Sequence, residues 1–185
     1  MEDTQSLKTI FQSSYKPQRE FEQDVSKLGY SYDPELSSME DKVFVNKETG
    51  KASIAYRGSV TKTDWIGNAK LALGFKDQEA ERRIQLADKV KAKYGDIDTI
   101  YGHSRAGYIG EKAGERTGAK VITYNKATLP QDIFKKIRPE QTDIRTTGDI
   151  VSAPSFFQTG GVKKEIKPTF PFLGGVYAHS VSALE

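Results

Sequence analysis

The sequence contains no cysteine, which excludes disulfide bonds, a thiol nucleophile and thiolate metal sites. It also lacks any apolar run near the roughly 18 residues that a membrane-spanning helix needs. The first ten residues, MEDTQSLKTI, are polar and acidic, whereas a secretory signal has a basic stretch followed by an apolar one. We therefore expect a soluble chain. The compartment stays open, with the cytoplasm as the default.

The sequence also lacks an excess of either positive or negative charge. The 28 basic and 25 acidic residues are mixed along the chain and give a net charge of only +3. A nucleic-acid-binding domain usually clusters its lysines and arginines, so we expect no nucleic-acid partner. Neither the phosphate-binding P-loop pattern nor G-x-G-x-x-G is present. The sequence predicts no cofactor and no metal.

The 185 residues suit one compact domain. Residues 1–40 read as a helical lead-in of one or two short helices broken at Pro17, packed on a domain of residues 41–185. The predicted strands are KVFVN (42–46), KASIAYR (51–57), IDTIYG (97–102), AKVITY (119–124), TDIRTT (142–147) and VKKEIK (162–167). The predicted helices are residues 77–94, SRAGYIGEKAGERTG (104–118) and PQDIFKKIR (130–138). This order predicts an α/β fold with a mostly parallel sheet and a hairpin at its front.

A serine between small residues follows one of these strands and precedes a helix, in YGHSRAGYIG (101–110). Such a tight turn projects the hydroxyl of Ser104 outward and needs small residues two positions before and after it. Gly102 and Ala106 meet that need. The pattern favours a serine nucleophile. The alternative is a turn that only packs closely or binds a phosphate at the helix N-terminus.

A serine hydroxyl needs a base to react, and the sequence has only two histidines. His103 precedes the serine and should point to the other side of the turn, which leaves His179 as the candidate base. A carboxylate between Ser104 and His179 would then orient the imidazole. Asp149 stands where a strand is expected to end, whereas Asp143 lies inside that strand and is the weaker candidate. Either aspartate is alternatively an ordinary turn or capping residue.

The oxyanion that forms on attack needs hydrogen-bond donors that are already in place. The backbone N–H of Arg105, directly after the serine, is one candidate. The segment AYRGSVTKTDW (55–65) offers the other, because Gly58 allows a turn at a strand end and Ser59 follows with its N–H. The alternative is a Gly-Ser loop without a catalytic role.

The motifs YRGS, TDW, GHSRAG, GDIVSAP and a late AHS, in that order, resemble the class 3 (fungal-type) lipases, an α/β-hydrolase family. The resemblance covers about residues 40–180. It implies Ser104 as nucleophile, Asp149 and His179 as its partners, and Ser59 with Arg105 as the oxyanion hole. Arg105 and Ala106 replace the leucine and glycine that this family has there. Arg105 then either places a cation beside the ester or turns away to pair with a carboxylate.

The resemblance also implies a substrate-covering segment and an acyl pocket. Residues 66–75, IGNAKLALGF, have an apolar centre at Leu71 and Leu73, which is either a lid hinged at glycines or a helix packed permanently on the core. Phe156 and Phe172 are candidates for the pocket wall, although many of the late phenylalanines should belong to the core.

The sequence therefore predicts a serine carboxylester hydrolase of the lipase, esterase or phospholipase type. Its partner would be a lipid or another acyl ester, with transient contact to a membrane interface. The alternative is a catalytically inactive α/β-hydrolase fold that serves as a binding or structural module.

Overall fold

The computed structural model describes residues 3–58, 78–128, 134–149, 151–152, 159–167 and 178–183. Within these ranges the helices are α1 (Thr4–Ser13), α2 (Gln18–Lys27), α3 (Gln78–Tyr94), α4 (Arg105–Thr117) and a 3₁₀ turn at Val181–Ala183. The strands are β1 (Tyr30–Asp33), β2 (Asp41–Asn46), β3 (Ala52–Tyr56), β4 (Ile97–His103), β5 (Lys120–Tyr124), β6 (Lys135–Thr146) and β7 (Thr159–Ile166).

The described strands form one sheet whose spatial order follows the chain, from β1 to β7. Strands β1, β2 and β3 are antiparallel to one another, and the pairings from β3 to β7 are all parallel. The expected α/β fold with a mostly parallel sheet and a front hairpin is confirmed. In the part of the chain that the structure describes, no helix is long and apolar enough to cross a bilayer.

The sheet is buried on both faces because its central strands are apolar at consecutive positions. Ile54 and Ile100 face one cluster and their neighbours Ala55 and Tyr101 face the other. Helices α3 and α4 cover the first face through Ala87, Val90, Ala106, Ile109 and Ala113. Helices α1 and α2 cover the second through Leu7, Ile10, Phe11, Phe21 and Val25. The result is a three-layer arrangement of helices, sheet and helices.

The two short helices predicted on either side of Pro17 are present, and Pro17 itself caps the start of α2. The four-residue strand β1 was not predicted, because Tyr30-Ser-Tyr-Asp33 is too short and polar to show a clear alternation. It joins the sheet by pairing with β2. The boundary at residue 40 stays a prediction.

The predicted helix at residues 130–138 is wrong for its described C-terminal part, because residues 135–138 belong to strand β6. Lys135 pairs with Thr159 and Arg138 with Gly161 of β7. Pairing with strand β7 sets the backbone conformation of these residues, because it contributes more free energy than the local helix propensity.

The parallel strands all point the same way, so their carboxyl ends meet at one edge of the sheet. Gly58, Ser104, Asn125 and Asp149 follow β3, β4, β5 and β6 within three residues of each strand end. This edge is the place where α/β sheets bind their ligands.

Candidate active site

Ser104 is the single residue between strand β4 and helix α4. Its backbone has φ 58° and ψ −129°, a conformation that costs energy for any residue with a side chain. The turn is tight: a Cβ atom added at Gly102 would lie 2.3 Å from the backbone oxygen of Ala106. The strained turn therefore depends on small neighbours, as the sequence predicted, and holds the serine at the N-terminus of α4.

The structure brings together Ser104, His179 and Asp149, which lie 75 and 30 residues apart along the chain. The Oγ of Ser104 lies 2.8 Å from Nε2 of His179, and Nδ1 of His179 lies 2.9 Å from Oδ1 of Asp149. The carboxylate accepts a hydrogen bond from the N–H at Nδ1, which leaves Nε2 as the acceptor for the serine hydroxyl. All three side chains are buried.

The carboxylate of Asp149 is held in its charged form. Burial alone would raise the pKa of Asp149, but the hydrogen bonds from His179 and from residues of its own turn outweigh burial and lower it. The backbone N–H groups of Val151 and Ser152 donate to the carboxylate at 3.1 and 3.0 Å, and the Ser152 hydroxyl donates as well. Asp149 is thus a fixed acceptor with a defined orientation.

Asp143, the weaker candidate, lies away from His179 in a separate buried network. It accepts from Lys126 Nζ at 3.0 Å and from Thr123 Oγ1 at 2.7 Å. Lys126 also contacts Glu111 at 2.6 Å. This network lies behind the turn of Ser104, because Lys126 packs against Gly107 of α4.

His103 contacts the backbone of the candidate base. Its Nε2 donates to the carbonyl oxygen of His179 at 2.8 Å, and the two rings are 5.0 Å apart. Its Nδ1 then accepts from the hydroxyl of Tyr15 at 2.5 Å. Burial and the nearby His179 lower the pKa of His103 to about 3, so its ring is neutral at pH 7.

The sequence did not indicate Tyr15, Tyr124 or Asn125 as residues of this site. Tyr124 is the last residue of strand β5 and Asn125 follows it, and both contact the segment around His179. Tyr15 precedes the serine by 89 positions and belongs to the predicted lead-in. No local pattern marks these residues, since their contacts arise only when distant segments meet.

Of the two candidate oxyanion donors, the structure describes Arg105. It is the first residue of α4, where the backbone N–H groups point out of the helix end. Its guanidinium lies 3.7 Å from the carboxylate of Glu79, in agreement with the alternative that Arg105 turns to a carboxylate. Ser59 lies outside the described residues. The preceding Gly58 is described and is close to the serine: a Cβ atom added there would lie 3.2 Å from Cβ of Ser104.

The candidate substrate-binding residues Leu71, Leu73, Phe156 and Phe172 also lie outside the described residues, as does the whole segment 66–75. Within the described ranges, no group of three or more histidine or carboxylate side chains is placed to hold a metal ion.

The α/β fold and this arrangement at its sheet edge are features of hydrolases that carry a serine elbow. A family model described as phospholipase-like, the Tle-like phospholipase domain, matches residues 13–161. Because this match spans most of the sequence, the chain belongs to that family.

An extracellular phospholipase A1 of Serratia liquefaciens is 28% identical over 109 residues, and the match covers 56% of this chain and 34% of the relative. The aligned part thus spans about a third of the length of that protein. Both comparisons support a lipase or phospholipase family, and neither names the class 3 lipases.

Proposed function

We propose that this chain is a serine hydrolase that cleaves a carboxylic ester between an acyl chain and the glycerol of a phospholipid. The observation that carries the proposal is the line of hydrogen bonds from Ser104 through His179 to Asp149, at 2.8 and 2.9 Å. The same motif order in class 3 lipases supports the division of roles, and the phospholipase A1 relative supports the substrate class.

In the first half of the reaction, Oγ of Ser104 attacks the carbonyl carbon of the ester while its proton moves to Nε2 of His179. Asp149 accepts from Nδ1 and stabilises the imidazolium. The negative charge on the former carbonyl oxygen is stabilised by the N–H of Arg105 and the positive end of α4, with Ser59 as the proposed second donor. The carbon–oxygen bond to the lysophospholipid then breaks, and that leaving oxygen takes the proton from His179.

In the second half, water attacks the acyl group on Ser104 and gives its proton to His179. The acyl–serine bond breaks, the serine regains the proton, and a free fatty acid leaves. Each carboxylate, ring and hydroxyl returns to its starting state. This mechanism uses no metal ion and no cofactor. We also propose that the acyl chain comes from a membrane interface and passes Leu71, Leu73, Phe156 or Phe172 on its way to the serine.

The test is intact-mass analysis after treatment with a fluorophosphonate, which reacts with activated serines. Wild-type protein should gain one adduct, and Ser104→Ala should gain none while keeping its circular dichroism spectrum. Fatty-acid release from phosphatidylcholine vesicles should fall by about four orders of magnitude in Ser104→Ala. If folded wild-type protein is never labelled, the proposal fails and the inactive binding module takes its place.

A further inference from the structure

The segment that carries the candidate base is held by side chains from other parts of the chain. We call residues 178–181 the base segment. Its four carbonyl oxygens, in order, accept from Asn125 Nδ2 at 2.7 Å, His103 Nε2 at 2.8 Å, the Tyr124 hydroxyl at 3.2 Å and Gln12 Nε2 at 3.3 Å. These donors come from the ends of β4 and β5 and from α1. The position of His179 therefore depends on side-chain donors around it.

One of these donors is connected to the opposite side of the site. The hydroxyl of Tyr15 donates to Nδ1 of His103 at 2.5 Å and accepts from the N–H of Gly58 at 3.0 Å. The roles are fixed, because Nε2 of His103 must donate to the carbonyl of His179, so Nδ1 of the neutral ring is the acceptor. We call residues 55–65 the oxyanion segment. One hydroxyl thus links this segment, at Gly58, to the backbone of the base.

The surroundings of this hydroxyl leave it little freedom. A Cβ atom added at Gly58 would lie 2.6 Å from the Tyr15 hydroxyl, 2.8 Å from the carbonyl oxygen of His103 and 3.2 Å from Cβ of Ser104. The oxyanion segment at Gly58 and the turn that carries the proposed nucleophile therefore meet beside Tyr15, and His103 connects the Tyr15 hydroxyl to the base segment. Burial raises the pKa of Tyr15, which keeps the hydroxyl protonated and able to donate.

We propose that Tyr15 is a positioning residue for acyl transfer: its hydroxyl sets the distance between the oxyanion segment at Gly58 and the base His179, through His103. The predicted lead-in, residues 1–40, then contributes a residue to the active site. This inference rests on the proposed function. A displacement of about 1 Å between reacting groups is enough to lower turnover about 100-fold, and such a residue acts on kcat with little effect on KM.

Tyr15→Phe tests the proposal, because it keeps the ring and removes only the hydroxyl. The variant should hydrolyse p-nitrophenyl butyrate with kcat lowered by about tenfold or more and KM within about threefold of wild type. Fluorophosphonate labelling of Ser104 should slow by the same factor. Tyr94→Phe is the matched control, since its hydroxyl also makes a part-buried hydrogen bond, to Asp33 at 2.6 Å, far from the site.

The proposal is overturned if kcat of Tyr15→Phe falls by less than about tenfold, or if the substitution changes KM alone. If Tyr15→Phe does not fold, His103→Phe carries the test under the same thresholds, because it keeps an aromatic ring and removes both nitrogens that link the Tyr15 hydroxyl to the His179 carbonyl. Failure of the proposed function looks different: wild-type protein itself would show neither labelling nor hydrolysis.

Discussion

Replacing Lys126 with methionine should lower the free energy of unfolding by about 3–5 kcal/mol at pH 7. The ammonium of Lys126 lies 2.6 Å from a carboxylate oxygen of Glu111 and 3.0 Å from one of Asp143. All three side chains are at most 5% exposed. Gln141 donates to both carboxylates, at 2.7 and 2.9 Å. Methionine fills a similar volume without charge, so the substitution leaves two buried carboxylates with too little compensating charge.

The magnitude follows from the cost of an uncompensated buried charge, which is far larger than the value of a surface ion pair. It is a large share of the roughly 5–15 kcal/mol that stabilises a typical domain. The effect should depend on pH. Burial would raise the pKa of Glu111, but Lys126, Lys135 and Gln141 outweigh it and lower that pKa from its ordinary value of 4.5 to about 2.

A carboxyl group whose pKa is lower in the folded than in the unfolded chain stabilises the fold at any pH above its unfolded-state pKa. This contribution is lost as the pH falls through the folded-state pKa. The difference between wild type and Lys126→Met should therefore be full at pH 7 and shrink below about pH 4.5. Urea unfolding followed by circular dichroism at pH 7 and pH 4 measures both quantities.

Lys135→Met is the matched control, because Lys135 contacts the same Glu111 at 2.6 Å but is 25% exposed. This control should lose about 1 kcal/mol or less. The reasoning is refuted if the two variants differ by less than about 1 kcal/mol at pH 7, since the burial of Lys126 would then carry no special cost.

Three further results are expected. The pKa of His103 is lowered from its ordinary value of 6.5 to about 3, so below pH 6.5 the unfolded chain binds a proton that the folded chain does not. The free energy of unfolding should therefore fall from pH 6.5 to pH 5 by up to about 1.4 kcal/mol per pH unit. Urea titrations should show this slope in wild type, and an equal slope in His103→Gln would contradict it. Gly102→Ala should lower the melting temperature and slow fluorophosphonate labelling, because the new methyl would overlap the fixed backbone oxygen of Ala106. Gly110→Ala should stay closer to wild type, because the nearest atom to its new methyl is a side-chain methyl of Ile100 at 3.3 Å; equal melting temperatures would count against the tight turn. Asp149→Asn should keep the fold and lower kcat about 10⁴-fold, and a loss below about tenfold would remove Asp149 from the proposed role.

The elements that sequence reasoning predicted are those with a strong local pattern. Strand β4 alternates Ile100 and Tyr101 between two clusters, and α3 repeats apolar residues along one stripe that ends before Gly95, where φ is +84°. The helix predicted for residues 135–138 was wrong because this stretch, KKIR, has a single apolar residue and no strong local pattern, and pairing with strand β7 sets its backbone.

The candidate site divides in the same way. Ser104 with its small neighbours was predictable, because a strained turn imposes requirements within a few residues of itself. His179 could be selected because the chain has only one other histidine. The contacts of Tyr15 and Asn125 had no such signal, because each residue contacts a segment far along the chain, at 88 and 53 positions.

By itself the sequence determined the α/β class, the sharp turn that carries Ser104, and the few polar residues that could be catalytic partners of Ser104. These features follow from periodicity, residue size and composition. Only the tertiary structure decided that Asp149 reaches His179 while Asp143 joins Lys126, and that Tyr15 lies between Gly58 and His103. Spacing along the chain cannot settle those choices. They depend on which strand ends meet at one edge of the sheet, and hydrogen bonds form only where packing brings donor and acceptor within about 3 Å.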